Sequence, residues 1–324
     1  MPTPKKSSRR ATPLKLVLPA TSANLGPAFD AAALAFGLFL KVQASPAAQF
    51  SIQARGRDAE VCGQLENHLI ISTYREVLRA QGREVLPLAL QLENDIPIGK
   101  GCGSSAAARL AGIALAVHFG RLGWTDDRIV GEASLREHHP DNSAACWMGG
   151  LTVARMSGEE QARVAPIKPK GRWPLLLAVP EQSLSTEQAR RVLPAQYSRA
   201  DAVSNVQNAM LLLAAFVQGR SDLLASALED HLHQPYRAAL CPLLPGLKKL
   251  VGTSGILGVA LSGAGPSVLV FLDPRVRANA AQKAVASHLK REGLVAELIL
   301  TEITGQGAGQ SPAWEKHRPR ITAL

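Results

Sequence analysis

The feature that most restricts this chain is the run IPIGKGCGSSAAARLAG, residues 96–112. Glycines alternate through positions 99, 101 and 103, two serines follow, and the sequence then turns into alanine-rich helix former. Glycine loses more backbone freedom on folding than any other residue, so a loop this rich in it needs a compensating use. A helix start offers one. Its first N–H groups lack intrahelical partners and sit at the positive end of the helix dipole. A loop without side-chain bulk feeding such a start lets an anion reach bare backbone, and phosphate is the first expectation. The spacing is not that of a Walker loop, because Lys100 is followed by Gly101 rather than by Ser or Thr. GCGSSA does satisfy the glycine pattern of a dinucleotide-binding turn. That pattern also needs an acidic residue about 20 positions on at a strand end, and Asp126 and Asp127 fall at a helix start instead. A glycine turn that holds no ligand is the remaining alternative.

The chain has 324 residues, which gives room for two domains of roughly 150 residues each. A hydrophobic fraction of 46% is that of an ordinary globular protein and supplies a sizeable core. The formal charge of +10 raises the question of nucleic acid. However, Lys5, Lys6, Arg9 and Arg10 crowd one polar end, and Lys316, His317, Arg318 and Arg320 crowd the other. Aromatics are only 4%, with no base-stacking signature beside the basic residues, so no nucleic-acid partner is expected. A basic surface equally well steers a small polyanion such as ATP. No apolar run reaches the roughly 18 residues of a membrane span, and no secretory apolar stretch follows the basic start. Cys62, Cys102, Cys146 and Cys241 are dispersed and form no metal-like pairs, which fits a reducing, cytoplasmic location.

Residues 1–12 read as a disordered basic tail. Strands are expected over 14–20, 36–45, 49–54, 86–95 and 149–155, with helices over 67–82, 105–119 and 125–137. Thr125 is the expected N-cap of the last of these. A second half opens with a strand over 173–180. Helices follow over 198–219, 221–230 and 277–293, then a strand–glycine turn–strand over 258–273 and a closing strand over 294–303. In the helix 198–219, Val203, Val206, Met210, Leu213 and Val217 recur at helical spacing and predict a core-facing stripe. Residues from Gly305 read as a flexible end, and the irregular mixture of strands and helices predicts an α+β fold.

The full glycine run, Pro97, Gly99, Gly101, Gly103, Ser104, Ser105 and Ala106, resembles the phosphate loop of the GHMP kinases, with Cys102 where an aliphatic residue is usual. PATSANLGPAFD, residues 19–30, resembles the opening motif of the homoserine kinase branch in all but Ala28. EHHPDNSAACWMGG, residues 137–150, resembles a second motif of that branch, with His138 replacing glycine, Ser143 replacing valine and Ala145 at an expected proline. LSGAGPSVLVF, residues 261–271, resembles the glycine-rich loop that closes over the site in these kinases. STEQARRVLP and HQPYR resemble two further segments and place Arg190 and Arg237 at the substrate.

The resemblance implies a two-layer α+β fold, with an N-terminal half like ribosomal protein S5 domain 2 over residues 13–170 and a ferredoxin-like C-terminal half over 171–304. Residues 305–324 are left as a tail. It implies transfer of a phosphoryl group from ATP to the side-chain hydroxyl of L-homoserine, with Mg²⁺, in threonine biosynthesis. The sequence does not give the oligomeric state, and a homodimer is one state left open. Pro97, Gly99, Lys100, Gly101, Cys102, Gly103, Ser104, Ser105, Ala106 and Ala107 would form the nucleotide loop. Asn24, Asp30, His139, Asn142, Arg190, Arg237 and Gly263 would hold the amino acid, with Asn142, Asp141 and Asp30 closest to the chemistry. The metal would take Ser104, Ser105 and a carboxylate, Glu132 by preference and Glu137 as the alternative. Asn142 stands where mevalonate-kinase relatives carry Asp and cannot act as a base, so the hydroxyl proton is expected to leave to phosphate or water. A kinase for another small alcohol, and a non-catalytic ligand-binding protein on the same fold, stay open. The departures at Ala28, His138 and Ser143 are the reason for the second of these.

Overall fold

Leu14, Leu16 and Leu18 are buried while Lys15 between them is exposed, so the first strand packs one face inward from its first residue. The structure, a computed structural model, describes residues 12–158, 161–310 and 314. The predicted tail 1–12 lies outside these residues except for Thr12.

The first half carries β1 (Leu14–Asn24), β2 (Ala28–Pro46), β3 (Ser51–Gly56), α1 (Ala59–Gly63), α2 (Leu69–Ala80), β4 (Leu88–Asn94), α3 (Ser104–Phe119), α4 (Asp126–Glu137), α5 (Asp141–Met148), β5 (Leu151–Met156) and β6 (Ala162–Ile167). The second half carries β7 (Pro174–Val179), α6 (Thr186–Arg191), α7 (Arg199–Gln218), α8 (Leu224–Ala227), α9 (Gln234–Arg237), α10 (Leu243–Lys248), β8 (Ile256–Leu261), β9 (Val268–Leu272), α11 (Ala278–Arg291) and β10 (Glu297–Glu302).

The first sheet has the order β3-β4-β2-β5-β6, with β1 also on β2. The long β2 makes this possible. Its later residues, Leu40–Pro46, pair with β4, and its earlier residues, Ala32–Leu34, pair with β5. The second sheet has the antiparallel order β10-β7-β9-β8. With helices between β7 and β8 and between β9 and β10, this is the split βαβ arrangement of ferredoxin-like folds, as the resemblance implied.

The α3 helix is apolar on every side over Leu110–Val117 because it is buried on every side there. A side chain at Gly112 would strike the Ile70 carbonyl of α2 at 2.6 Å, so the two helices approach as closely as backbone allows.

Four expectations are corrected. PATSANLGPAFDAAALAF is not a strand followed by a loop, because β1 runs on to Asn24, turns through 25–27 and returns as β2. The elements α1, α5, β6, α6, α9 and α10 carried no sequence prediction, being only four to eight residues long and too short for periodicity to register. Most of the predicted stripe on α7 faces outward: Val203 is 51% exposed, Val206 63%, Met210 62% and Val217 51%, while Leu213 is half-buried against the core as expected. The inner face is instead Asn205, Leu212, Ala215 and Phe216, with Phe216 packed on Trp173 and Phe271. By length and composition, α7 is the one helix among the described residues that could cross a membrane. Finally, the expected flexible end is docked where it is described. The backbone of Gly307 and Gly309 lies against Trp147 of α5, and Trp314, 1% exposed, meets the same indole edge-on at 5.1 Å. Residues 311–313 and 315–324 lie outside the described residues.

Candidate active site

The glycine loop sits between the two halves, and its carbonyls are all turned into protein. Gly99 O accepts from Leu184 N, Lys100 O from Ser267 N, Gly101 O from the Ser262 hydroxyl at 2.8 Å, and Cys102 O from Thr21 N at 3.1 Å. Gly103, in the left-handed conformation at φ 72°, then starts α3 without a capping side chain. The amides of Gly103, Ser104 and Ser105 donate to no protein acceptor among the described residues. Two of the glycines are obligatory. A Cβ on Gly103 would overlap the Thr21 hydroxyl, and one on Gly101 would overlap the Ser262 carbonyl. The result is a row of bare N–H groups at a helix start, opening into a cleft of about 610 Å³.

Gly99, Gly101, Gly103, Ser104 and Ser105 line that cleft. The side chains of Pro97, Lys100, Cys102, Ala106 and Ala107 are not on its lining. Lys100 instead donates to the Glu181 carbonyl, a tie to the second half rather than to a ligand. Cys102 is 1% exposed, with its thiol near Lys100 O and the Ser267 hydroxyl, and burial pushes its pKa up to about 12. It replaces an aliphatic residue as a small hydrophobe.

Of the two candidate metal carboxylates, the structure brings Glu137 to the loop and not Glu132. Glu132 pairs with Arg136 on its own helix, 2.9 Å away. Glu137, the last residue of α4, accepts from the Ser105 hydroxyl at 2.7 Å and from Arg109 Nε at 2.6 Å. The next residue, His138, ends the helix in the left-handed conformation at φ 66°, the backbone state for which the related motif uses glycine.

The other end of the cleft is built from the β1–β2 turn, the start of α5, and α6 and α9. Asn24 and Asp30 both have positive φ, 71° and 53°. The Asn24 side chain staples the turn, accepting from Asp30 N and donating to Gly263 O, both at 2.9 Å. Asp141, 1% exposed, accepts from Asn142 N and pairs with His139 Nδ1 at 2.7 Å. Burial opposes charge on His139, but the Asp141 carboxylate outweighs it and raises the imidazole pKa. Asn142 Oδ1 is occupied by the Thr21 hydroxyl at 2.7 Å, which leaves its amide nitrogen for the cleft.

Arg190 and Asp30, expected at opposite ends of the substrate, form a bidentate pair with each other at 2.8–3.0 Å. Arg237 is 1% exposed and has no carboxylate partner among the described residues. Its Nε donates to Ala189 O and its Nη1 meets His233. Burial first, and then the neighbouring Arg190 charge, lower its pKa. Both guanidiniums lie about one ring-width from Phe29, at 5.5 and 5.4 Å from its centroid.

One wall was missed. Val61, Asn67, His68, Leu92, Ile96 and Ile98 line the cleft beyond the glycine loop. They come from the short helix α1, from β4 and from irregular segments beside them, which together follow no single helix or strand period, so no local pattern marked them.

The GHMP kinases N terminal domain family matches residues 68–150, and the GHMP kinases C terminal family matches residues 212–291. A homoserine kinase from Solibacter usitatus is 45% identical over 258 residues, 80% of this chain and 84% of its own. The chain belongs to the homoserine kinase family of the GHMP kinases. A second relative, from Synechocystis, is 37% identical over 90% of this chain and 96% of its own. Among solved structures, the homoserine kinase of Cytophaga hutchinsonii shares the fold, with a TM-score of 0.77 and 23% identity over 94% of this chain and 99% of its own. Leishmania major mevalonate kinase also shares the fold, at a TM-score of 0.68, with 16% identity over 95% of this chain and 100% of its own. The protein is therefore a kinase; the glycine loop, Glu137, Asp141 and Asn142 fall within the first family match, and Arg237 and Gly263 within the second.

Proposed function

We propose that this kinase moves the γ-phosphoryl group of ATP to the side-chain hydroxyl of L-homoserine, giving O-phospho-L-homoserine for threonine biosynthesis in the cytoplasm. One observation carries this reading. A row of bare amides at the start of α3 and an Asp–Arg–Arg group suited to an amino acid share one cleft of about 610 Å³. The loop would hold the triphosphate, and the apolar wall around Val61, Leu92, Ile96 and Ile98 suits the flat base. At the other end, the ammonium would meet Asp30, and the carboxylate would meet the guanidinium forks of Arg190 and Arg237. The zwitterion thus replaces in kind the contacts that Asp30 and Arg190 make with each other.

Asn142 would orient the hydroxyl, and Asp141 with His139 would hold Asn142 in place. No side chain there has to take the proton, since a loose phosphoryl-transfer transition state needs little activation of the nucleophile. The donors at the loop fit Mg²⁺: the Glu137 carboxylate and the hydroxyls of Ser105 and Ser104 are hard oxygens at the phosphate end. No cluster of three or more His, Cys, Asp or Glu occurs among the described residues, and Mg²⁺ completed by phosphate and water needs none. When bound, it would neutralise phosphate charge.

The outer stripe of α7 is the proposed contact with a second copy. Val203 and Val217 lie seven residues either side of Met210, with Val206 and Leu213 between, and no charged residue occurs from 202 to 218. An antiparallel pairing about a two-fold axis would set Met210 on itself and each valine end on the other.

The deciding experiment incubates the protein with ATP, Mg²⁺ and L-homoserine and follows product by phosphorus NMR. O-phospho-L-homoserine is expected. Phosphorylation only of another alcohol, or ATP binding without any transfer, would reject the proposal. In the same assay, Glu137→Gln should raise the Mg²⁺ needed for half-maximal rate about tenfold or more, while Glu132→Gln should leave it unchanged.

A further inference from the structure

His233 takes no part in the reaction proposed above, yet it touches both ends of the amino-acid site. Its side chain is fully buried, stacked on Phe29 with ring centroids 5.3 Å apart. Nε2 lies 2.8 Å from Gly26 O, in the turn between Asn24 and Asp30. Nδ1 lies 3.1 Å from Arg237 Nη1. A guanidinium can only donate, so Nδ1 must be the bare nitrogen and Nε2 must carry the hydrogen. Only the neutral ring, in that one tautomer, makes both bonds. Asp230 lies 3.4 Å from Nε2, and its oxygens already accept the backbone amides of Leu232, His233 and Gln234; Asp30 acts on the ring from farther off. Burial, aided by the Arg237 charge, outweighs Asp230 and holds the imidazole pKa at about 4.

We propose that His233 is a positioning residue that fixes the distance between the ammonium-binding turn and the carboxylate-binding Arg237, and so selects α-amino acids over alcohols bearing only one of the two charges. This rests on the zwitterion reading of the site. Asn24 and Asn205 tie the turn on either side of Gly26, but only His233 links the Gly26 carbonyl to Arg237, which reaches the cleft from a different half of the molecule. Without the imidazole between them, each end would still bind its own charge, but the two would no longer be held at one spacing.

The test compares His233→Ala, His233→Asn and His233→Gln with the unaltered protein. Substrates are L-homoserine, 4-hydroxybutyrate, which lacks the ammonium, and 3-aminopropan-1-ol, which lacks the carboxylate. Alanine should raise KM for homoserine about tenfold or more, as expected for losing a charge-assisted hydrogen bond. KM for ATP should stay within about twofold, and the preference for homoserine over both analogues should shrink. Asparagine, whose amide oxygen replaces Nδ1, should recover discrimination against the aminopropanol. Glutamine, whose amide nitrogen replaces Nε2, should recover discrimination against the hydroxybutyrate. Homoserine KM unchanged in all three variants, or KM for ATP rising equally, would overturn the proposal. Nitrogen NMR of the unaltered protein gives an answer independent of variant folding. A neutral Nε2–H ring at pH 7 is expected, and an imidazolium or the other tautomer overturns the proposal. Absence of any transfer to homoserine by the unaltered protein would instead reject the proposed function.

Discussion

Single residues at this site carry constraints that their side-chain chemistry alone does not explain. Gly103 must be glycine because Thr21 occupies the space a Cβ would need, and its backbone is left-handed. Gly103→Ala should therefore displace the loop by a fraction of an ångström or more. A misplacement on that scale lowers phosphoryl transfer by about a hundredfold, to be measured in a coupled ADP assay beside an intact circular dichroism spectrum. His138 is the opposite case. It accepts the left-handed conformation, at φ 66°, where a glycine would sit without strain. His138→Gly should stabilise the protein by about 1 kcal/mol, read as a higher urea midpoint with an unchanged slope. It should leave turnover near that of the parent, because the His138 ring is not on the cleft lining. The departure from the motif is thus a matter of backbone energy.

Among elements, α7 shows how one helix can serve two surfaces. Its inner face supports the substrate turn: Asn205 donates to Pro27 O and accepts from His231 N, so it ties the turn to the segment leading into His233. Its outer face is the uncharged valine–methionine stripe. Met210→Glu places a charge at the centre of that stripe without touching the inner face. It should convert a dimer to monomer in sedimentation velocity while leaving the fold intact, because a glutamate on a water-exposed helix face costs little. A parent protein that sediments as a monomer would remove the proposed contact. The short helix α5 is a second case. Asp141 and Asn142 open it, Trp147 ends its buried face, and Trp147 Nε1 donates to Asp126 at the start of α4. The element that presents the proposed catalytic side chains is therefore held by its far end.

At the scale of the whole molecule, the site exists only because distant segments meet. The loop 99–103 is gripped by Thr21 from the first strand and by Leu184, Ser262 and Ser267 from the second half. The C-terminal residues return to pack behind α5, where Trp314 meets Trp147. Trp314→Ala should cost about 3–5 kcal/mol, seen as a lower denaturation midpoint. It should also lower kcat more than it raises KM for ATP, since α5 rather than the glycine loop loses its backing. A protein that melts like the parent would show the tail to be dispensable. Much of this molecule was legible in local pattern. The glycine run, the strands β1, β4 and β7, and the helices α2, α3, α4 and α11 follow from turn chemistry, capping and periodicity, all of which act within a few residues. What stayed hidden depends on partners far along the chain. Periodicity located the apolar stripe on α7 but could not say that the opposite face, with Asn205 and Phe216, is the one the sheet covers. The choice of Glu137 over Glu132 turns on where α4 ends relative to Ser105. Residue types and their order determined a glycine loop ahead of a helix and the family to which the chain belongs. Only the folded chain decided which carboxylate reaches the loop, which arginine is left unpaired and which histidine joins the two ends, because a hydrogen bond depends on distance in space and not on separation in sequence.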